Sequence, residues 1–340
     1  MRLFSNIVRS LGQLGLYRLA ALITKNQPKV LVYHRFSETP KPGYCTPKNF
    51  EQQLQYICRY YNVVSMSELA EKYYDKRNLA PNTIAITVDD GYEDFYNIAF
   101  PLLKKYQLPA TLYVATGFIE NKLWLWPDQV SYILDYAAEP RAEFLYDDII
   151  ALPALNTISS NSNDWQYLID RLLEVNDATK HTIIKQLANT WNVNLPTQAP
   201  DKYKPSTEQH LIEMANNNIE IGGHTVTHPS LGRVDDFQAQ VEVTESKKYI
   251  DDLLGMSTRS FCYPNGTEFD YNETTKHLTE QCGYSCAVTA YADNQGLKHR
   301  FAIRRHGGGD DMFQFFKAVS GVEFLGGRGL PPYTGSPTSG

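Results

Sequence analysis

The chain is short of three things: a long uninterrupted apolar run, an excess of positive charge, and paired cysteines. With 340 residues and a formal net charge of -6, it lacks the basic surplus that nucleic-acid binders carry, so no nucleic-acid partner is expected. Its five cysteines, Cys45, Cys58, Cys262, Cys282 and Cys286, are odd in number. The one close pair is C-x3-C, which is not a zinc spacing. They read as free thiols in a reducing compartment, not as a disulfide framework. The opening stretch MRLFSNIVRSLGQLGLYRLAALITK is interrupted by Arg9 and Arg18. It therefore lacks the apolar centre of a secretory signal and is too broken to span a bilayer. A cytoplasmic or membrane-associated placement is the expectation.

The same stretch also holds a pattern. Leu3, Phe4, Ile7, Val8, Leu11 and Leu14 recur at helical spacing, with Arg2, Arg9 and Arg18 among them. Residues 1–28 are read as an amphipathic helix. It either packs on its own domain or lies on a membrane surface, with residues 1–25 making a peripheral contact.

Beyond residue 28 the chain alternates strand and helix. KVLVYH (29–34), NVVSM (62–66), NTIAITVDD (82–90) and ATLYVAT (110–116) read as strands with helical segments between them. From about 121 to 204 the rhythm breaks. Helices are expected near 127–137, 164–173 and 178–191, joined by polar segments such as NTISSNSND, as an insertion or lid. The rhythm resumes with strands IEIGGH, RSFCYP, SCAVTA and FAIRR. No internal repeat is visible. About eight mostly parallel strands favour a closed barrel over 29–320, whose chemistry would collect at the strand C-terminal ends. Residues 321–340, rich in Gly, Pro and Ser, read as a disordered tail.

Three segments at such strand ends carry candidate chemistry. AITVDDGYEDF places Asp89 and Asp90 side by side after an apolar run. Side chains alternate along a strand, so the two carboxylates can have different jobs: one can face a metal, the other a reacting water. As a bland alternative, the pair is a helix cap and its solvated neighbour. GGHTVTHPSL places His224 and His228 four apart. Pro229 disfavours helix at His228, so a turn is expected to aim both imidazoles at one ion. Two histidines and a carboxylate suit zinc with an open position, or ferrous iron. RSFCYPNG ends another strand with a turn able to expose backbone N–H groups.

In this order, the segments resemble the polysaccharide deacetylase family, carbohydrate esterases with a nodulation-type deacetylase domain. TVDDG matches the family's T-F-D-D-G with Val88 for Phe, HTVTH its H-[ST]-x-x-H, and YPNG the end of its third motif. VLVYHRF and CTPKNFEQQLQYI resemble the start of the branch acting on exopolysaccharides. The resemblance implies an α/β fold, a distorted, incomplete (β/α) TIM-like barrel, with the helical insertion around 121–204. It implies a hydrolase that removes acetyl groups, N-acetyl before O-acetyl, from a polysaccharide or amino sugar. The ion would be zinc, or else cobalt, nickel or iron, held by Asp90, His224 and His228. Asp89 would be the general base toward a metal-activated water. The backbone N–H after Pro264, that of Asn265, would stabilise the oxyanion.

Two positions depart from the family pattern. An Arg often stands three residues before the motif Pro, paired with the base. Here that place holds Phe261. FAIRRH resembles the late strand that supplies an Arg in the exopolysaccharide branch, which puts Arg305 in that role and Arg304 behind it. The general acid is open among His34, which ends the first strand, His306 and His299. Asp128 in WLWPDQV resembles a segment that orients the acid, but a charge at a helix N-terminus explains it nearly as well. Phe261 is the one feature favouring a catalytically impaired carbohydrate-binding protein on the same fold. A ferrous oxygenase with the same ligands runs against the motif order.

Overall fold

The computed structural model describes residues 15–137, 141–154, 162–290 and 296–325. Its strands in chain order are β1 Lys29–Tyr33, β2 Arg35–Phe36, β3 Tyr44–Cys45, β4 Asn62–Val64, β5 Thr83–Val88, β6 Ala110–Val114, β7 Phe144–Tyr146, β8 Ile150–Leu152, β9 Ile219–Gly223, β10 Ser260–Cys262, β11 Cys286–Val288 and β12 His306–Gly307. The main sheet runs β11-β10-β9-β6-β5-β1-β12, with β4 also on β5. Every pairing in it is parallel. β1, β5 and β6 are buried along their whole length, as parallel strands covered on both faces must be.

Register explains the curl. β4 pairs with Thr83–Ala85 and β6 with Thr87–Val88, so the two strands share one edge of β5 in succession. At the other extreme Ile303 makes a single parallel bridge to Val288, and His306–Gly307 pair with Leu31 and Val32. The ring therefore closes through a few irregular residues. This is the distorted, incomplete barrel expected, with one difference. The last strand does not run through 301–305; its ladder starts at His306. The intervening Arg305 is turned into the ring, where its guanidinium is bonded on every side.

One face of each strand meets an outer helical layer. Leu31, Ile84, Ile86, Val88, Leu112 and Val114 pack there with Phe50, Leu54, Phe95, Phe315 and Val319. The other face fills the ring with Val30, Ala85, Tyr113, Cys262 and Val288, closed at the strand N-terminal ends by Met66, Leu69 and Ala70 of the helix Met66–Tyr74. The helices begin where the chain supplies caps. Thr46 accepts from Asn49 N ahead of Pro47, Ser65 from Glu68 N, and Asp235 from Gln238 N.

The insertion is as helical as expected. Trp126–Tyr136, Ser162–Glu174 and Asp177–Thr190 join a small hairpin, β7-β8, around a core of their own that includes Trp126, Ile133, Leu168, Ile184, Leu187 and Trp191. Only part of the expected N-terminal helix lies among the described residues. Leu16–Ile23 is helical and packs beside Met312–Ser320, a helix the sequence pattern did not announce; residues 1–14 lie outside. Val322–Leu325 adds a helical turn where a disordered tail was expected, and residues 326–340 lie outside. All five cysteines are free, as expected.

Candidate active site

Asp89 follows β5 on the inward face shared by Ala85 and Thr87. Strict alternation would send Asp90 to the opposite face. Asp90 instead adopts φ 76, and Gly91 follows at φ 93, so the chain turns and both carboxylates reach the same mouth. A side chain at Gly91 would press on Val114 and Ile119. The turn therefore needs its glycine, and Asp90 carries the strain common at functional sites.

His224 leaves β9, separated from β5 by β6, at the same end of the sheet, and a short loop brings back His228. Asp90 Oδ1 lies 3.4 Å from His224 Nε2 and 3.3 Å from His228 Nε2. Donors bonded to one tetrahedral zinc at about 2.0–2.1 Å lie about 3.4 Å from each other, so the three residues fit a single ion. Their donor atoms all lie within 4.8 Å of one another. The second nitrogen of His224 agrees with this. His224 Nδ1 stands 2.8 Å from the Cys262 carbonyl, which fixes its proton there and frees Nε2 for a ligand bond. His228 Nδ1 is buried with no partner among the described residues.

Electrostatics fit the same set. Burial alone would raise the Asp90 pKa, but hydrogen bonds to His224 and His228 hold it well below the usual carboxylate range. Burial also works against charge on His224, yet Cys262 and Asp90 outweigh it and raise that pKa. Burial, with the charge of His224 added, lowers that of His228. One proton can thus sit within the group, and an ion would displace it.

Asp89 is held differently. Arg305 Nη1 and Nη2 each donate to it at 2.6 Å, a bidentate pair with the arginine fully buried. Arg305 also donates to Thr87 Oγ1, the Thr289 carbonyl and Cys262 Sγ. Burial opposes ionisation of Asp89, but the Arg305 charge and its hydrogen bonds outweigh it and lower the pKa. Arg304 goes elsewhere, to Tyr271. Phe261 points outward onto Tyr263 and Tyr284. Asp89 is thus paired with an arginine although the motif position holds Phe261.

Of the acid candidates, the structure brings only His34 to the mouth. It is about half exposed, with Nε2 3.6 Å from Asp89 Oδ2. His306 pairs in register with Leu31 and so shares its outward, helix-facing side. His299 lies between Leu297, bonded to Tyr74, and Arg300, bonded to the Ser285 carbonyl and Asp75, at the far end of the ring. Neither placement suits an acid beside Asp89. Asp128 sits in the first turn of its helix, accepts from Tyr92 Oη at 2.6 Å and lies 3.8 Å from Arg35, the neighbour of His34. Burial pushes its pKa up to about 7. Asn265 and Gly266 form a left-handed turn at φ 59 and φ 64, and a side chain at Gly266 would run into the backbone of Ala290. The Asn265 Nδ2 is buried without a partner among the described residues.

The brace under the histidine loop was not legible beforehand. Glu242, on the helix Asp236–Leu254, accepts from Val226 N at 2.7 Å, Thr227 N at 2.9 Å and Thr227 Oγ1 at 2.6 Å. The loop needs holding. Thr225 (φ 67) and His228 (φ 61) are both left-handed, a costly state for a β-branched residue. Thr225 Oγ1 also accepts from His228 N. A capping carboxylate sixteen positions downstream leaves no local sequence signal.

Comparison with known proteins matches this architecture. A family model described as polysaccharide deacetylase covers residues 76–141 and 156–287, more than half of the chain. YxkH of Bacillus subtilis, provisionally assigned as a polysaccharide deacetylase, is 23% identical over 286 residues, 81% of this chain and 69% of its own length. The Escherichia coli poly-β-1,6-N-acetyl-D-glucosamine N-deacetylase is 24% identical over 139 residues, 41% of this chain but only 16% of that enzyme. The solved structure of the Streptococcus pyogenes deacetylase PplD shares the fold, with a TM-score of 0.53 at 22% identity, covering 83% of this chain and 92% of that one.

Proposed function

This chain belongs to the polysaccharide deacetylase family, and from that premise we propose that it is a metal-dependent hydrolase removing acetyl groups, N-acetyl in particular, from a polysaccharide or amino-sugar chain. The observation that carries the reading is the division of labour at the mouth. Asp90 faces two imidazoles at ligand spacing, while Asp89 is locked to Arg305. The name of the E. coli relative supports an N-acetyl substrate.

Asp90, His224 and His228 would hold the ion, zinc by donor type, or else cobalt, nickel or iron. When bound, the ion supplies Lewis acidity toward a water and toward the acetyl carbonyl. Asp89 takes the proton of the attacking water. Arg305 keeps Asp89 ionised and fixes its orientation. The backbone N–H of Asn265 donates to the oxygen that becomes negative at the carbonyl. His34, open to solvent beside Asp89, gives a proton to the leaving nitrogen as the C–N bond breaks, so acetate and a free amine depart.

The test is acetate release from a panel of acetylated oligosaccharides, with and without chelator. Release that stops with chelator and returns with zinc is expected. Metal-loaded protein that binds the glycans yet frees no acetate would overturn the reading in favour of a binding-only protein.

A further inference from the structure

The helix Leu16–Ile23 is inside out for a surface helix. Helices that only pack on their own domain turn large apolar side chains inward. Here the fully buried position is Ala20, while Leu16, Leu19, Leu22 and Ile23 are 40%, 55%, 66% and 62% exposed. At 3.6 residues per turn these four fall within roughly a third of the circumference. Leu325, 49% exposed, lies on the neighbouring turn Val322–Leu325. Among the described residues nothing covers this strip.

The segment that carries it bears one sign of charge, while Asp311, which caps the neighbouring helix, lies near Tyr17. No Asp or Glu precedes Glu38, although the whole chain has a net charge of -6. Of the cations in that stretch, Lys29 is buried against Thr24 and Arg35 is paired with Asp94. Arg2, Arg9, Arg18 and Lys25 have no acidic neighbour in sequence, and Arg18 and Lys25 are exposed. An apolar strip flanked by cations on an otherwise acidic protein is complementary to a bilayer with anionic headgroups.

We infer that this helix docks the protein on an anionic membrane surface, with Leu16, Leu19, Leu22 and Ile23 entering the headgroup boundary and Arg18 and Lys25 meeting the lipid charge. Geometry sets the orientation. Tyr17 lies against Phe313, which follows β12 at the mouth end, and Thr24 bonds Ser320 at the other end. The helix therefore runs down the barrel wall, and docking holds the mouth beside the bilayer rather than against it. Glycan near the membrane can then reach the site.

Cosedimentation of the full-length protein with vesicles tests this. Vesicles of phosphatidylcholine with phosphatidylglycerol should pull the protein down, phosphatidylcholine alone should not, and added salt should weaken binding. Leu19→Glu with Leu22→Glu should cut vesicle affinity about a hundredfold, while Tm and acetate release from a soluble oligosaccharide stay unchanged. Protein that stays in the supernatant with anionic vesicles overturns the inference and points to a strip covered within the chain. So does an unaltered affinity of the double variant. A dimer in solution that the same substitutions dissolve, without vesicle binding, assigns the strip to a second copy instead. Because binding is read without turnover, its failure is separate from failure of the deacetylase reading.

Discussion

The two ends of the barrel bury charge for opposite ends. At the strand N-terminal ends, Lys29 is fully buried and donates to the Thr24 carbonyl and hydroxyl. Glu220 accepts from Ser67 N, Thr111 Oγ1 and Ser260 Oγ. Each charge there is met by neutral partners on neighbouring elements, and the backbone carrying it is regular strand. At the mouth, Asp89, Asp90, His224, His228 and Arg305 crowd together on turns where Asp90, Thr225, His228 and Asn265 are left-handed. Among the described residues, nitrogens of His228 and Asn265 have no partner. A groove of about 560 Å³ lined by Cys58, Tyr61, Asn62 and Lys72 lies near the N-terminal ends of β4 and β5, away from the mouth. What marks the chemistry is the gathering of carboxylates and imidazoles on left-handed turns at the mouth.

The largest effect should come from separating the two mouth carboxylates. Asp90→Ala should lose bound metal and activity together. Asp89→Asn should keep the metal and lower kcat by about 10²–10⁴. Metal content of the purified variants beside acetate release checks both. Loss of metal from Asp89→Asn would show that the carboxylates share one job, and the contrast between them would fail.

Much of this contrast was legible in the sequence because it lies in local patterns. TVDDG and HTVTH are contiguous, and strand ends are marked by the switch from apolar run to turn. The barrel followed from strand–helix alternation, with strand ends off by at most two residues except in the last strand, which lies beyond its expected range. What was not legible depends on closure of the ring. The last ladder forms at His306 and not through 301–305, because Arg305 is needed inside. With Arg305 turned inward, alternation carries His306 to the outer face, away from the mouth. Side-chain alternation by itself would turn Asp89 and Asp90 to opposite faces, and the positive φ of Asp90 brings them together. The helix Met312–Ser320 and the Glu242 brace rest on contacts distant in sequence.

A smaller effect sharpens the comparison at the histidine loop. Glu242→Gln leaves the three metal-facing side chains in place but removes charge from an acceptor of three loop hydrogen bonds. Metal affinity should fall about 10–100-fold, the usual range for an outer residue that orients ligands. Titration with zinc against a chelating indicator reads this without turnover. Unchanged affinity with a lowered Tm would reduce Glu242 to a purely structural role.

The smallest effect belongs to the quiet end. Burial lowers the Lys29 pKa to about 8 from its ordinary 10.5. In the window between those values the unfolded chain binds more protons than the folded one, so this lysine contributes rising stability as pH climbs. Below about pH 8 it is protonated in both states, and burial of its charge is an uncompensated cost met only by Thr24. Lys29→Met removes the titration and the two bonds together. The difference in Tm between wild type and variant should therefore shift in favour of wild type between about pH 8 and pH 10, with acetate release unaffected at either pH by the substitution. A pH-independent difference would mean that the Lys29 pKa is not lowered in the fold, because water reaches its ammonium or because an acidic group lies beside it. Either result would make the two ends of the barrel less alike in burial than their exposures indicate.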